Sequence, residues 1–187
     1  MANHVDCYIS LKMNETAQKN FEELCTKTKG DAYDFPFSAL LLSEEEEWTY
    51  DKQCDLVGPK WSHVEDYSGD HLTTVSAWGY PLAGVGSLLK LLSQWDPYVT
   101  ASVSYADEMP NFFGKTKIIL NSEGEPWQLA EIEFDYDDLI LYAVSTVEEL
   151  KDKWDHEKEE WKDEESQDHF SDIMYDLIND MQEILCI

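Results

Sequence analysis

The chain has 187 residues, and its 40 Asp and Glu outweigh 13 Lys, with no Arg, to give a formal net charge of −27. Proteins bind phosphate backbones by neutralising them with Lys and Arg, so this composition excludes nucleic-acid binding through surface charge and favours a basic protein partner. An aromatic fraction of 13% excludes a disordered chain, and no apolar run approaches the roughly 20 residues of a membrane span.

The chain is predicted to open with a strand and then a helix. Residues 4–12 alternate apolar and polar side chains, which is typical of a half-buried strand. Asn14 is a candidate N-cap for a helix whose apolar positions recur at helical spacing, and Gly30 is its predicted end. Residues 31–60 are irregular and predict loops with one short helix.

The middle of the chain predicts five strands and one helix. Residues 61–67 and 71–78 form a strand pair across a Ser-Gly-Asp turn, and a helix follows from Gly84 to Trp95. Residues 99–105 alternate again as a strand. Residues 107–114 read as a loop, and a hairpin then joins strands 115–120 and 127–134. The order strand, helix, strand pair, helix, strand is that of a split β-α-β layer, and it predicts an α+β domain over residues 1–145.

Two acidic helices are predicted to close the chain as an extension, residues 146–187, packed on that domain. Thr146-Val-Glu-Glu149 fits a capping box, so a helix is expected from there with Val147, Leu150, Trp154 and Trp161 on one side. A second helix begins near Ser166 or Asp168. Its apolar stripe from Phe170 to Leu185 serves either a core or a dimer interface.

The first 135 residues contain several short motifs: Ala2-Asn3, Gly58-Pro59-Lys60-Trp61, Ser76 to Pro81, Ser104 to Asp107 and Asn111 to Gly114. In order and spacing they resemble the YubB-type ferredoxin-like family of phage and plasmid proteins. Pro59 and His4 depart from the residues usual in that family. The resemblance implies an antiparallel ferredoxin-like sheet backed by helices and a mobile-element origin; it transfers no catalytic residue.

The first acidic helix is the candidate partner-binding surface. Glu148, Asp152, Asp155, Glu159 and Asp163 follow at helical steps and would share one face, where neighbouring positions lie about 5–6 Å apart. With their flanking acids they would approach the charge density of DNA. The alternative interpretation is a solvated helix face. The candidate partner-binding residues are Glu148, Glu149, Asp152, Asp155, Glu159, Glu160, Asp163 and Glu164.

Other carboxylate and histidine groups offer weaker sites. Glu131, Glu133 and Asp135 fit the wet face of a strand, and Asp135-Tyr-Asp137-Asp138 lacks the glycine turn and distant Glu of a calcium loop. His63, Glu65, Asp66 and His71 are the only candidate ligands for a metal-assisted hydrolase. The four cysteines are scattered without a Cys-x-x-Cys pair, so no zinc site and no cofactor is expected.

These features together predict a non-catalytic protein. The N-terminus has no signal-peptide pattern, so a cytoplasmic location is expected. The expected function is inhibition of a host nucleic-acid-binding defence system, of CRISPR or restriction type, by carboxylates that mimic DNA on a basic host protein. An adaptor whose acidity only maintains solubility and a metal-assisted hydrolase are the two alternatives.

Overall fold

The structure, a computed structural model, describes residues 3–42 and 49–184. The fold is α+β, with a seven-stranded antiparallel sheet and five helices in this part of the chain. The strands are β1 His4–Lys12, β2 Phe35–Pro36, β3 Lys60–Ser68, β4 His71–Ala77, β5 Thr100–Asp107, β6 Phe112–Leu120, β7 Pro126–Asp135, β8 Trp154–Asp155 and β9 Glu160–Trp161. The helices are α1 Glu15–Lys29, α2 Tyr50–Val57, α3 Leu82–Leu92, α4 Tyr136–Thr146 and α5 Glu164–Ile184.

The main sheet has the order β2-β3-β4-β1-β5-β6-β7, and every neighbouring pair is antiparallel. The first strand lies at its centre, where Val5 is opposite Ser76 on β4 and Asp107 on β5. The strands predicted from alternation are confirmed, with ends that differ by a few residues. The predicted loop 107–114 is shorter than expected, because β6 already begins at Phe112.

Helices α1, α2 and α3 cover one face of the sheet. Alternate residues of β1, from Val5 to Leu11, are buried there against Phe21 of α1, Val57 of α2 and Leu88 of α3. The side chain of Asn14 caps α1 by accepting a hydrogen bond from the backbone N–H of Ala17, as the sequence predicts. Cys7 and Cys25 lie in the same core as small buried residues.

Helices α4 and α5 cover part of the opposite face. On β6, the side of the strand with Gly114, Thr116 and Ile118 faces α1, α2 and α3. Because successive strand residues point to opposite faces, Phe113 points toward α4 and α5. It forms a second apolar cluster with Leu139 of α4 and Phe170 of α5. The predicted apolar stripe of the last helix is thus used within the chain as far as Met181, whereas Leu185 and Cys186 lie outside the described residues.

The helix predicted from Thr146 is wrong. Thr146 is the last residue of α4, whose real N-cap is Asp135; its carboxylate accepts from the N–H of Asp138, and the Asp138 carboxylate accepts from the N–H of Asp135. A short 3₁₀ turn over Glu148–Leu150 follows, and then β8 and β9 form a small hairpin. Trp154 and Trp161 pair across this hairpin rather than on one helix face.

Two glycines allow close packing around the edge strand β7. A Cβ on Gly86 of α3 would lie 2.8 Å from the Cβ of Pro126, so this helix packs closely on the sheet. A Cβ on Gly114 would lie 2.3 Å from the carbonyl oxygen of Ile132 and 2.9 Å from the hydroxyl of Tyr105. No helix among the described residues is long and apolar enough to cross a membrane.

Candidate interaction surface

The eight candidate partner-binding acids do not share a helix face. Glu148 and Glu149 lie in the 3₁₀ turn, Asp155 and Glu160 lie on the two strands of the hairpin, and Glu164 begins α5. Asp152 and Glu159 adopt left-handed backbone angles, with φ of 60° and 54°, which no continuous helix allows. Asp163 precedes α5. The structure therefore spreads these carboxylates over turns and a hairpin.

Lysines partly neutralise this hairpin region. Lys151 pairs with Glu148, Lys153 with Asp163, and Lys158 with both Asp155 and Glu160. The ammonium of Lys162 donates to the carbonyl oxygen of Asp152. All four lysines beyond residue 130 lie here. The surface predicted from the sequence therefore contains more compensating positive charge than the rest of residues 131–187.

Two of the predicted acids have structural roles. Asp163 accepts hydrogen bonds from the hydroxyl and N–H of Ser166 and from Lys153, which lower the pKa of its carboxyl to about 2. The N–H groups of Glu157 and Lys158 donate to Asp155, and this lowers its carboxyl pKa as well. Both carboxylates stabilise local turns, as capping acids do.

The uninterrupted acidic surface lies on α5. Its acids recur at steps of three or four residues, which places them on one face of the helix. We call this set the acidic stripe: Glu165, Asp168, Asp172, Asp176, Asp180 and Glu183. All six are exposed, and α5 carries seven acids and no Lys. No cation of α5 itself interrupts the stripe.

Packing determines which face of α5 meets solvent. Phe170, Leu177, Ile178 and Met181 are buried against the sheet and α4, and their mean direction is roughly opposite the acidic stripe at about 100° per residue. Gln182 also anchors the helix, because its amide donates to the carbonyl oxygens of Tyr105 and Gly114. The recurrence of Asp every four residues was the sequence signal for this surface.

A second acidic group lies on β7 and contacts the hydroxyls of two tyrosines. The hydroxyl of Tyr105 lies 3.3 Å from a carboxylate oxygen of Glu131 and 3.2 Å from one of Glu133, and Tyr80 donates to the same Glu131 oxygen. The two tyrosine rings stack with centroids 4.2 Å apart. These glutamates do lie on the strand face opposite Ile132 and Phe134, but they bind phenols there instead of facing only water.

The phenols of Tyr80 and Tyr105 should ionise only in strongly alkaline solution. Burial chiefly raises both pKa values above the ordinary value of about 10, and the nearby carboxylates raise them further. Because the folded-state pKa exceeds the unfolded one, the stabilisation is complete below about pH 10 and is lost as the pH rises beyond it. In an absorbance titration, the variant Tyr80→Phe/Tyr105→Phe should lack the latest phenolate step; an unchanged late step would contradict the assignment.

The candidate metal ligands do not converge. His63 Nδ1 lies 3.5 Å from a carboxylate oxygen of Asp34, and His71 pairs with Asp70 while its ring tilts on Tyr8. Asp135, Asp137 and Asp138 occupy the N-terminal turn of α4. Among residues 3–42 and 49–184, no three His, Cys, Asp or Glu side chains lie together as a metal site would require.

Only half of the six tryptophans in the described residues pack against the apolar clusters, Trp95 among them. Trp154 and Trp161 do pack on the domain, since the Trp161 ring lies 5.0 Å from that of Phe170. In contrast, Trp61, Trp78 and Trp127 are more than half exposed. Trp48 and the acid run Glu44 to Glu47 lie outside the described residues.

Comparison of the chain with family models, with curated proteins and with solved structures gave no significant match. The geometry of its own residues is therefore the basis for any functional assignment.

Proposed function

We propose that this chain is an acidic inhibitor that occupies the basic surface of a nucleic-acid-binding protein, with the acidic stripe of α5 as its main contact. The observation that carries the proposal is a single exposed helix face with six carboxylates and no cation. A defence protein of CRISPR or restriction type, which must grip DNA or RNA, is the class of target that suits it. The protein itself binds no nucleic acid and acts without catalysis.

The dimensions of the stripe support this assignment. From Glu165 to Glu183 the helix rises about 27 Å, since each residue adds 1.5 Å. One DNA strand places a phosphate every 3.4 Å or so, and an i,i+4 step on a helix is about 6 Å. The stripe thus has roughly half the linear charge density of one strand. Arg and Lys side chains on a basic groove are long enough to adapt to that spacing.

The distribution of charge also supports it. Residues 131–187 hold 20 acids and 4 lysines, a net of −16 from 57 residues, against −11 for the first 130. An acidity that served solubility alone would have no reason to exclude cations from one helix. Like charges at i,i+4 destabilise a helix by a few tenths of a kcal/mol each, so the stripe is retained at a cost in stability.

We further propose that the domain is ferredoxin-like and of YubB type. The strand order β3-β4-β1-β5, with α1 and α3 on one face, supports this proposal, because a split β-α-β layer is expected to have that order. Motif residues that are distant in sequence also come together: Trp61 contacts Trp78, and Tyr80 stacks on Tyr105 beside Gly114. These contacts support the resemblance, and with it a phage or plasmid origin.

A competition assay tests the proposed function. A short fluorescent DNA duplex is first bound to an arginine-rich peptide at low salt, and the protein is then added. We expect the protein to release the duplex. Binding of a labelled peptide to the protein without DNA should weaken steeply between about 50 and 200 mM salt, because exposed charges are screened. If the duplex stays bound at low salt with the protein in excess, the mimic proposal is wrong.

A further inference from the structure

Two exposed tryptophans occupy backbone positions that favour glycine. Trp61 and Trp78 have φ of 51° and 63°, in the left-handed region, and remain 52% and 55% exposed. Trp61 lies at a register shift between β3 and β4, and Trp78 follows the end of β4. A bulky residue in this region is a genuine outlier, and such strain concentrates at functional sites.

The two tryptophan side chains form an exposed aromatic pair. Their rings lie 5.7 Å apart at 37°, so they form a tilted pair that leaves ring surface open to solvent. The ammonium of Lys60 lies 5.8 Å from the ring centroid of Trp78 and 6.0 Å from that of Tyr50. The aromatic faces therefore already attract one cation, as the negative face of an aromatic ring does.

A cavity of about 500 Å³ is lined by residues that lie two positions along the chain from each member of this pair. Pro59, which precedes Lys60, and Tyr80, which follows Trp78 by two residues, line it together with Leu82, Pro126 and Trp127. The walls are mainly apolar. At one side the Tyr80 hydroxyl donates to Glu131, so a carboxylate lies just beyond the apolar wall.

We propose that the aromatic surface, defined as Trp61, Trp78, Trp127 and this cavity, receives an arginine- or lysine-bearing segment of the same basic partner. A cationic side chain would stack on the tryptophan pair. A second would place its apolar stem in the cavity and its charge near Glu131. The inference rests on the proposed function for the nature of the partner, but it concerns a different surface, since α3 and α5 lie on opposite faces of the sheet.

Charge complementarity selects this occupant. An apolar partner would bury Glu131 and Glu133 without a counter-charge, which is costly. A second copy of this chain would bring another −27 and the same two glutamates to the interface. A cationic segment can stack on the tryptophan rings and also pair with the carboxylates. Trp and Arg are both enriched among the interface residues that contribute most of the binding free energy.

NMR titration of the indole N–H signals with an alternating Gly-Arg peptide tests the inference. The signals of Trp61 and Trp78, assigned by substitution, should shift, and those of Trp154 and Trp161 should not. Trp61→Gly and Trp78→Gly suit the backbone angles, so they should keep the folded spectrum while the affinity for the peptide falls at least fivefold. Trp61→Phe and Trp78→Phe, which keep aromatic rings, should retain most of the affinity.

The titration distinguishes a failure of the acidic-stripe proposal from a failure of the aromatic-surface inference. If the peptide shifts α5 backbone signals but no Trp61 or Trp78 indole, the aromatic-surface inference is overturned and the acidic-stripe proposal stands. If the indole shifts persist while α5 is unaffected, the stripe proposal fails and the aromatic surface is supported. Equal affinity of the glycine variants and the wild type would also overturn the inference.

Discussion

Replacing Asp168, Asp172, Asp176 and Asp180 by asparagine should weaken binding to an arginine-rich peptide by about tenfold to a hundredfold. All four side chains are exposed on α5, and no cation of that helix neutralises them. An exposed ion pair contributes roughly 0.2–1 kcal/mol, and about 1.4 kcal/mol corresponds to a factor of ten in affinity, so four lost charges give this range. Isothermal titration at about 0.1 M salt, where the Debye length is about 10 Å, measures it.

The matched control removes the same amount of charge elsewhere. Glu22→Gln, Asp31→Asn, Asp51→Asn and Glu123→Gln alter exposed acids on other elements, so the net charge rises equally while α5 is untouched. This control should bind within about twofold to threefold of the wild type, because distant exposed charges are screened. Equal losses in both variants would mean that total charge, not the stripe, determines binding.

Stability provides an internal check on the same variant. The four aspartates form three like-charged i,i+4 pairs, each destabilising by about 0.2–0.5 kcal/mol. Their neutralisation should therefore raise the free energy of unfolding by about 0.6–1.5 kcal/mol. A variant that binds less while folding more stably cannot owe its loss of binding to unfolding.

Phe170→Ala should destabilise the protein by about 3–5 kcal/mol. The Phe170 side chain is 1% exposed and contacts the rings of Tyr136 on α4 and Trp161 on the hairpin, so it joins three elements. Deleting a buried phenyl group loses its transfer free energy and leaves a cavity. Urea unfolding followed by far-UV circular dichroism measures the change.

Ile184→Ala is the control for that substitution. Its side chain lies on the same helix but is 65% exposed, so the expected loss is below about 0.5 kcal/mol. If Phe170→Ala cost as little as this control, the second apolar cluster would not be a cooperative core. The acidic stripe would then have no rigid support.

The local sequence pattern was sufficient to predict most strands of the sheet and the first helix. The alternation in β1 and the Asn14 cap depend on residues close in sequence, and the structure agrees with both. The helix predicted after β7 begins at the wrong residue, because two capping signals compete in that segment. Asp135 with Asp138 begins a helix, and that helix uses Thr146 as its last residue instead of as a cap.

The sequence by itself determined the acidity, the lack of arginine and the apolar face of the last helix, since these follow from composition and helical period. Only the tertiary structure decided that the acids between Glu148 and Asp163 do not form one helix face. Packing Phe170 and Leu177 on the sheet orients α5, and the Trp154–Trp161 pair folds the preceding acids into a hairpin with their lysines. Contacts between distant residues fix that choice, and such contacts leave no periodic signal along the chain.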